Sequence, residues 1–240
     1  MNILILAAGR VQSDSNSEIT YPACLSELNG VSVLESITAN LSEIADANYT
    51  FALHAEDISD FHLDNIANLL VSNAKIAVVP KSTMGSACTA LLVACELAEE
   101  RPLLIVSANE LIRQKIMPML EEFLIRELDA ATLAFRSIHP RYSYVRLNNA
   151  GLVIEAAQQN PISQVATAGV FWFARTRDFI EAAKDTIRKG AVTNNRFYLA
   201  PVLNELILRH KKIGIKEIDK ADYMPLKTSH QIQQYEQGQS

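Results

Sequence analysis

Histidine and cysteine are the side chains best suited to metal or nucleophile chemistry, and here their spacing supports neither. His54, His62, His139, His210 and His230 include no pair at metal-ligand spacing with a second His or Cys. Cys24, Cys88 and Cys95 are an odd, small set that reads as buried residues in a reducing compartment. The polar chemistry lies in short segments that follow apolar runs. Met1 to Leu6 runs into Ala7-Ala8-Gly9, but Val11 stands where a dinucleotide turn needs its second glycine, which argues against a dinucleotide-dependent oxidoreductase. Asn194, Asn195 and Arg196 either offer polar contacts to a sugar hydroxyl or phosphate, or form a turn with Asn195 capping the next helix. Tyr142, Tyr144, Phe171 and Trp172 either line a pocket or fill a core, and aromatics at strand positions more often do the second.

The elements that must position these residues follow from periodicity. Met1 to Leu6 is short, without alternation, and ends on small residues, as in a strand buried on both faces. Residues 11 to 20 are polar and serine-rich, as in a loop. Val33, Leu34, Ile37, Leu41 and Ile44 recur at helical spacing. The pattern then predicts a strand at 49–53, a helix at 61–70, a strand at 75–79 and a helix at 86–98. A strand at 103–106, a helix at 116–128 and a strand at 131–135 follow. This alternation predicts a mostly parallel sheet with helices on both faces, whose ligands bind beyond the carboxyl ends of the strands. The loops of interest are therefore Gly9 onward, Pro80 to Gly85, and Ser107 to Glu110.

The second half differs. Strands at 144–147 and 153–156 flank Asn148-Asn149-Ala150-Gly151, a hairpin signal. A strand at 168–174 carries Trp172, the only tryptophan. A helix at 178–189 ends at Gly190, a helix at 197–209 follows, then a strand at 214–218. No repeat or linker appears, so the expectation is one domain over 1–240. It comprises a first half over 1–135, a second half over 136–230 and a frayed tail over 231–240.

Composition narrows the function classes. The 240 residues are 49% hydrophobic and 20% charged with a net charge of -5, ordinary for a chain with a core and unfavourable for nucleic acid. No apolar run reaches the roughly 18 residues of a membrane span, and the apolar start is too short for a signal peptide. The chain is expected to be cytoplasmic and not to insert into membranes.

In order along the chain, a set of motifs resembles the bacterial sugar-phosphate nucleotidyltransferases, close to those of capsule and surface-polysaccharide synthesis. The set comprises Leu6-Ala7-Ala8-Gly9, Tyr21-Pro22 with Leu25 to Gly30, Thr83 to Thr89, Pro102 to Ile105, Ser137 to Tyr144, Pro161-Ile162-Ser163, and Asn194 to Glu205. The resemblance covers most of the chain. It implies one Rossmann-like, GT-A-type α/β domain, with a nucleotide-binding first half and a second half for the sugar phosphate. It implies an enzyme that joins a nucleoside triphosphate to a sugar phosphate and releases pyrophosphate, with Mg²⁺ required for activity. On this likeness the nucleotide would meet Ala7, Ala8, Gly9, Lys81, Thr83, Gly85 and Thr89. The sugar phosphate would meet His139, Tyr144, Gly169, Asn194 and Asn195, and Asn109 and Glu110 would stand at the metal position.

Several positions depart from the family pattern. Val11 replaces a glycine, Ser13 an arginine, Ala23 a lysine that meets phosphate, and Asn109 a metal-binding aspartate. Gln158 and Gln159 stand for an acid and a base, and Lys227 to Ile232 replaces a further acidic motif. A phosphate–cation contact at about 4 Å is worth up to roughly 4 kcal/mol at an effective dielectric near 20. Losing two would slow turnover by on the order of 10⁴ to 10⁶. Two readings follow. In one, catalysis is weak or lost and the fold binds a nucleotide, a sugar phosphate or a partner, either another enzyme or a second copy. In the other, Arg10, Lys81 and Glu110 rebuild an active site. The substitutions favour the first.

Overall fold

The computed structural model describes residues 1–9, 21–226, Thr228 and Gln231. The chain opens with β1 (Asn2–Leu6), a 3₁₀ turn over Ala23–Leu25, a small ribbon of β2 (Glu27–Leu28) and β3 (Val31–Ser32), and α1 (Val33–Leu41). Next come β4 (Asn48–His54), α2 (Ala55–Phe61), α3 (Leu63–Leu70), β5 (Lys75–Val79) and α4 (Ser86–Ala94). They are followed by β6 (Leu103–Ser107), β7 (Glu110–Ile112), α5 (Met117–Ile125), β8 (Ala130–Arg136), β9 (Ser143–Leu147) and β10 (Val153–Gln158). The last elements are β11 (Val165–Phe173), α6 (Thr176–Arg188), α7 (Leu199–Leu208), β12 (Ile213–Glu217) and β13 (Tyr223–Pro225).

Among the described residues nine strands form one mixed sheet, in the order β10-β9-β11-β6-β1-β4-β5, with β8 on the other side of β11 and β12 beyond it. β1 lies between β4 and β6, parallel to both, with Ile5 opposite Phe51 and Val106. β5 extends the parallel part. β11 runs antiparallel to β6, so the second half of the chain continues the sheet that the first half begins. The chain thus has the expected mixed α/β fold, a mainly parallel central sheet with helices on both faces.

β1 shows why. Its five residues are all buried, and its side chains alternate between two cores. Ile3 and Ile5 face α1, α3 and α5 through Ile37, Leu63 and Phe123. Leu4 and Leu6 face α4, α6 and α7 through Ala87, Phe179 and Leu203. Each such side chain contributes roughly 1.5–3 kcal/mol on burial, so a central strand apolar on both faces is stable only with both faces covered.

Several boundaries differ from the periodicity. The helix expected over 61–70 is two helices, broken at His62, whose φ of 52° is left-handed. The helix expected from Phe197 begins at Leu199 because the backbone of Phe197 is engaged elsewhere: its N–H donates to Met84 O and its carbonyl accepts from Ala87 N. Tyr198, not Asn195, is its N-cap, and Asn194 and Asn195 both adopt positive φ, 49° and 58°. The loop expected over 107–110 turns into β7 at Glu110, because Tyr223–Pro225, more than a hundred residues away, pairs with it. The hairpin and the Gly190 C-cap are as expected. Asn148 Oδ1 accepts from Ala150 N and Leu152 N, and Gly190 takes φ 65° just beyond α6.

The outer edge of the sheet at β10 is closed by one side chain. Asn204 of α7 donates to Ala156 O and accepts from Ala156 N, both at 2.8 Å, so its amide stands in for a further strand. Asn204→Ala leaves both groups of Ala156 without these partners and is expected to cost about 2 kcal/mol. In a chain of this size that lowers Tm by about 4–8 °C in thermal denaturation. An unchanged Tm would show that the edge does not depend on Asn204.

Candidate functional site

Of the three loops of interest, those at Gly9 and at Ser107 to Glu110 lie side by side at the carboxyl ends of β1 and β6. Ala7 to Gly9 leaves β1, and the Ala7 N–H donates to Ala52 O of β4. Next to it, Ala108 N donates to Leu6 O, which draws the segment after β6 alongside. At Gly9 a β-carbon would lie 3.5 Å from Asn109 Nδ2, so the two are in van der Waals contact. The backbone carbonyl of Asn109 accepts from Leu226 N, which ties this point to the end of β13. Across from it, Ala23 N donates to Gly9 O, and Ala23 is only 1% exposed. The position where the resemblance expects a phosphate-binding lysine is therefore closed over a methyl group.

Glu110 is turned away from this point. It is 8% exposed, its Oε2 accepts from the Tyr223 hydroxyl at 2.9 Å, and its carboxylate lies directly on Gly169. Gly169 has φ 63° and sits where the β11–β8 register shifts, between Thr167 and Phe171, so the strand bends around the carboxylate. The space beside Glu110, bounded by Ile37, Val106 and Ile116, is about 10 Å³, room for at most one water. Among the described residues no three His, Cys, Asp or Glu side chains converge as a metal site. A magnesium site is built from carboxylate oxygens beside substrate phosphates. Here the residue facing Gly9 is a neutral amide, and the neighbouring carboxylate faces the protein interior. These donors do not fit Mg²⁺.

The second cluster surrounds the start of α4. Gly85 precedes the helix with φ 112°, pressed against the backbone of Phe197. Thr83 and Thr89 share a hydroxyl–hydroxyl hydrogen bond of 2.6 Å, and Thr89 also donates to Gly85 O. Phe197 N to Met84 O and Ala87 N to Phe197 O join this loop to the Asn194–Asn195 turn. Asn194 Nδ2 in turn donates to Gln159 Oε1 at 2.6 Å. Thr83, Gly85, Thr89, Asn194 and Asn195, chosen from both halves of the sequence, are thus brought to one place.

The remaining candidates are spread more widely. Lys81 is 77% exposed in its side chain and pairs with Glu56 at 2.7 Å. His139 is exposed; its ring accepts from Arg141 N and its carbonyl from the Tyr144 hydroxyl. Tyr144 is itself fully buried and acts on the loop through that bond, and burial raises its pKa above the ordinary tyrosine value. Tyr142, Phe171 and Trp172 are also buried and form core, not pocket. Cys88, on α4, has its thiol pKa raised by burial, which keeps it protonated at neutral pH and a poor nucleophile. Arg10 lies outside the described residues, as do Val11, Ser13, Lys227 and His230. Sequence reasoning did not single out Phe197 or Tyr223, whose partners lie more than a hundred residues away. A cavity of about 470 Å³ opens at the opposite end of the sheet, lined by Thr38, Tyr49 and Lys75, and shares no residue with this site.

Comparison with known proteins defines the class of fold. No protein-family model matches the chain. Among solved structures, a nucleoside-diphosphate-sugar pyrophosphorylase from Vibrio cholerae RC9 superposes with a TM-score of 0.81 at 19% identity, covering 99% of this chain and 100% of that one. A Bacillus anthracis protein assigned as a glucose-1-phosphate thymidylyltransferase, solved with sucrose, gives a TM-score of 0.70 at 16% identity over 98% and 94% of the two chains. The chain therefore has the Rossmann-like fold of the nucleotidyltransferases. In sequence it is similar to the bifunctional protein GlmU of Streptococcus equi subsp. zooepidemicus, 24% identical over 231 residues. That alignment takes in 91% of this chain and 47% of GlmU, so the chain spans about half the length of this relative.

Gly85→Ala tests the junction between the halves. A β-carbon there meets Phe197 O, lies 2.9 Å from Phe197 N, and requires φ 112° of an L-residue. The expected loss is about 2–4 kcal/mol. Gly151→Ala, also at positive φ but with nothing within 4 Å, is expected to lose only about 1 kcal/mol. Equal losses in urea denaturation would show that contact with Phe197 adds nothing.

Proposed function

We propose that this chain is a member of the sugar-phosphate nucleotidyltransferase family in which catalysis is lost and the cleft is kept for binding. The observation that carries the reading is the placement of the Asn109 amide beside Gly9, with Glu110 turned to Tyr223 and Gly169. A reaction between two polyanions needs cations or a metal where charge develops. Here the described residues at the metal position offer an amide, and Ala23 leaves no room for a cation. Binding makes smaller demands. The junction of Gly85, Phe197, Asn194 and Gln159 still presents polar groups from both halves of the chain. The setting inferred from the resemblance is the cytoplasmic synthesis of surface-polysaccharide precursors, where such a protein would bind a nucleotide- or sugar-class ligand, or a partner enzyme or second copy.

The test is pyrophosphate release with all four nucleoside triphosphates against a broad panel of sugar 1-phosphates. No release above background is expected, and any thermal shift given by a nucleotide should be the same with and without Mg²⁺. Release dependent on Mg²⁺ would overturn the reading in favour of a rebuilt active site. Asn109→Asp restores a carboxylate beside Gly9 and is expected to make nucleotide stabilisation depend on Mg²⁺. At about 100 times Kd the added stability is roughly 2.7 kcal/mol, readily seen as a shift in Tm.

A further inference from the structure

We infer that the open edge of the sheet at β5 pairs with the same edge of a second copy, as a two-fold antiparallel ladder. The surface lies apart from the cleft, and the inference holds whatever the cleft binds. Among the described residues the sheet has three outer strands, and side chains close two of them. At β10 Asn204 bonds both backbone groups of Ala156, and at β12 Arg126, just after α5, donates to Ile215 O at 2.9 Å. β5 pairs only with β4, and among the described residues the one side chain that reaches its backbone is His54 of β4 itself, at Val79 O. Alternate residues of β5 therefore present N–H and C=O groups outward. Exposed apolar side chains gather along the same edge. Val78, within the strand, is 60% exposed. Leu69 of α3 is 87% exposed and Leu92 of α4 is exposed too, on the helices that cover β4 and β5 from the two faces. Apolar surface gathered in this way marks an interaction site.

A second copy is the occupant that this edge fits. With Ala77 opposite its own counterpart, all five residues of β5 pair: Ile76 lies opposite Val78 and Lys75 opposite Val79, each twice. Ile76 and Val78 share one face of the strand, so the exposed Val78 of each copy is covered by the half-buried Ile76 of the other. Centring the ladder on Val78 instead would bring in Pro80, which has no N–H to give. Charge agrees with the first register. Lys75 is the only charged residue of β5 and, among the described residues, takes part in no ion pair. An antiparallel ladder holds the two Lys75 side chains at opposite ends. It brings each to the carboxyl end of the other β5, where Glu56 of the acidic α2 lies beside Lys81. A lysine in mid-strand would guard the edge, but β5 has its lysine at the end and is apolar from Ile76 to Val79.

Sedimentation velocity of the full chain, from about 1 to about 100 µM, tests the inference and is expected to show a reversible dimer. Val78→Lys, at an exposed position, is expected to raise the dimer dissociation constant at least about hundredfold with unchanged circular dichroism, because a charge would face Ile76 twice in each dimer. Ala77→Cys sets two thiols opposite each other at a Cα separation of about 4.5–5.5 Å, within disulfide range, so mild oxidation should give a covalent dimer. Lys75→Cys, about 13 Å from its counterpart, should give none. Both are made in a Cys95→Ser background, since that thiol is exposed. A chain that stays monomeric throughout would overturn the inference. So would a dimer that Val78→Lys leaves intact, or one that Ala77→Cys does not cross-link, since either places the contact elsewhere. Should Val78→Lys disturb the fold, the two cysteine variants decide alone.

Discussion

The antiparallel pairing of β6 with β11 is the interaction on which the rest of the structure depends. Val106 and Val170 stand opposite each other there, fully inside the protein, and buried backbone groups must find partners. Through this one ladder the antiparallel second half becomes part of the sheet started by β1, β4 and β6. It sets Gly169 level with the end of β6, close to where Glu110 begins β7. It also brings α6 and α7 over the same face as α4, so that the Phe197 backbone can reach Met84 and Ala87.

That placement also bears on the residues that follow β6. Asn109 lies in the turn after β6 and Glu110 opens β7, and the two side chains take different directions. Asn109 faces Gly9, and Glu110 goes to the interior, where the Tyr223 hydroxyl and the bend at Gly169 receive it. The position of a carboxylate thus depends on which element it begins, not on its distance along the chain alone. Ala23 shows the same principle from the other side. The 3₁₀ turn donates Ala23 N–H to Gly9 O and buries the residue, so a longer side chain there would have to open space.

The likeness to solved structures is one of fold. The fold shared with the Vibrio cholerae pyrophosphorylase persists at 19% identity because the two-sided core around β1 tolerates many apolar sequences.

The sequence by itself determined the alternation of strands and helices, the hairpin at Asn148 to Gly151, the Gly190 cap and the three loops at the strand ends. These are local properties: apolar periodicity and turn residues act over a few positions, so they can be read without knowing any partner. Resemblance to a family marked Thr83, Gly85 and Thr89 for a nucleotide and Asn194 and Asn195 for a sugar phosphate, and only the fold joined the two sets. Only the tertiary structure decided how far the elements extend and which way the site residues face. The strand at Glu110 to Ile112 exists because Tyr223 to Pro225 pairs with it, and the last helix starts late because Phe197 bonds to Met84 and Ala87. The direction of Glu110 and the burial of Ala23 depend on groups distant in the chain, whose positions are set by packing of the whole sheet, and no local pattern records them.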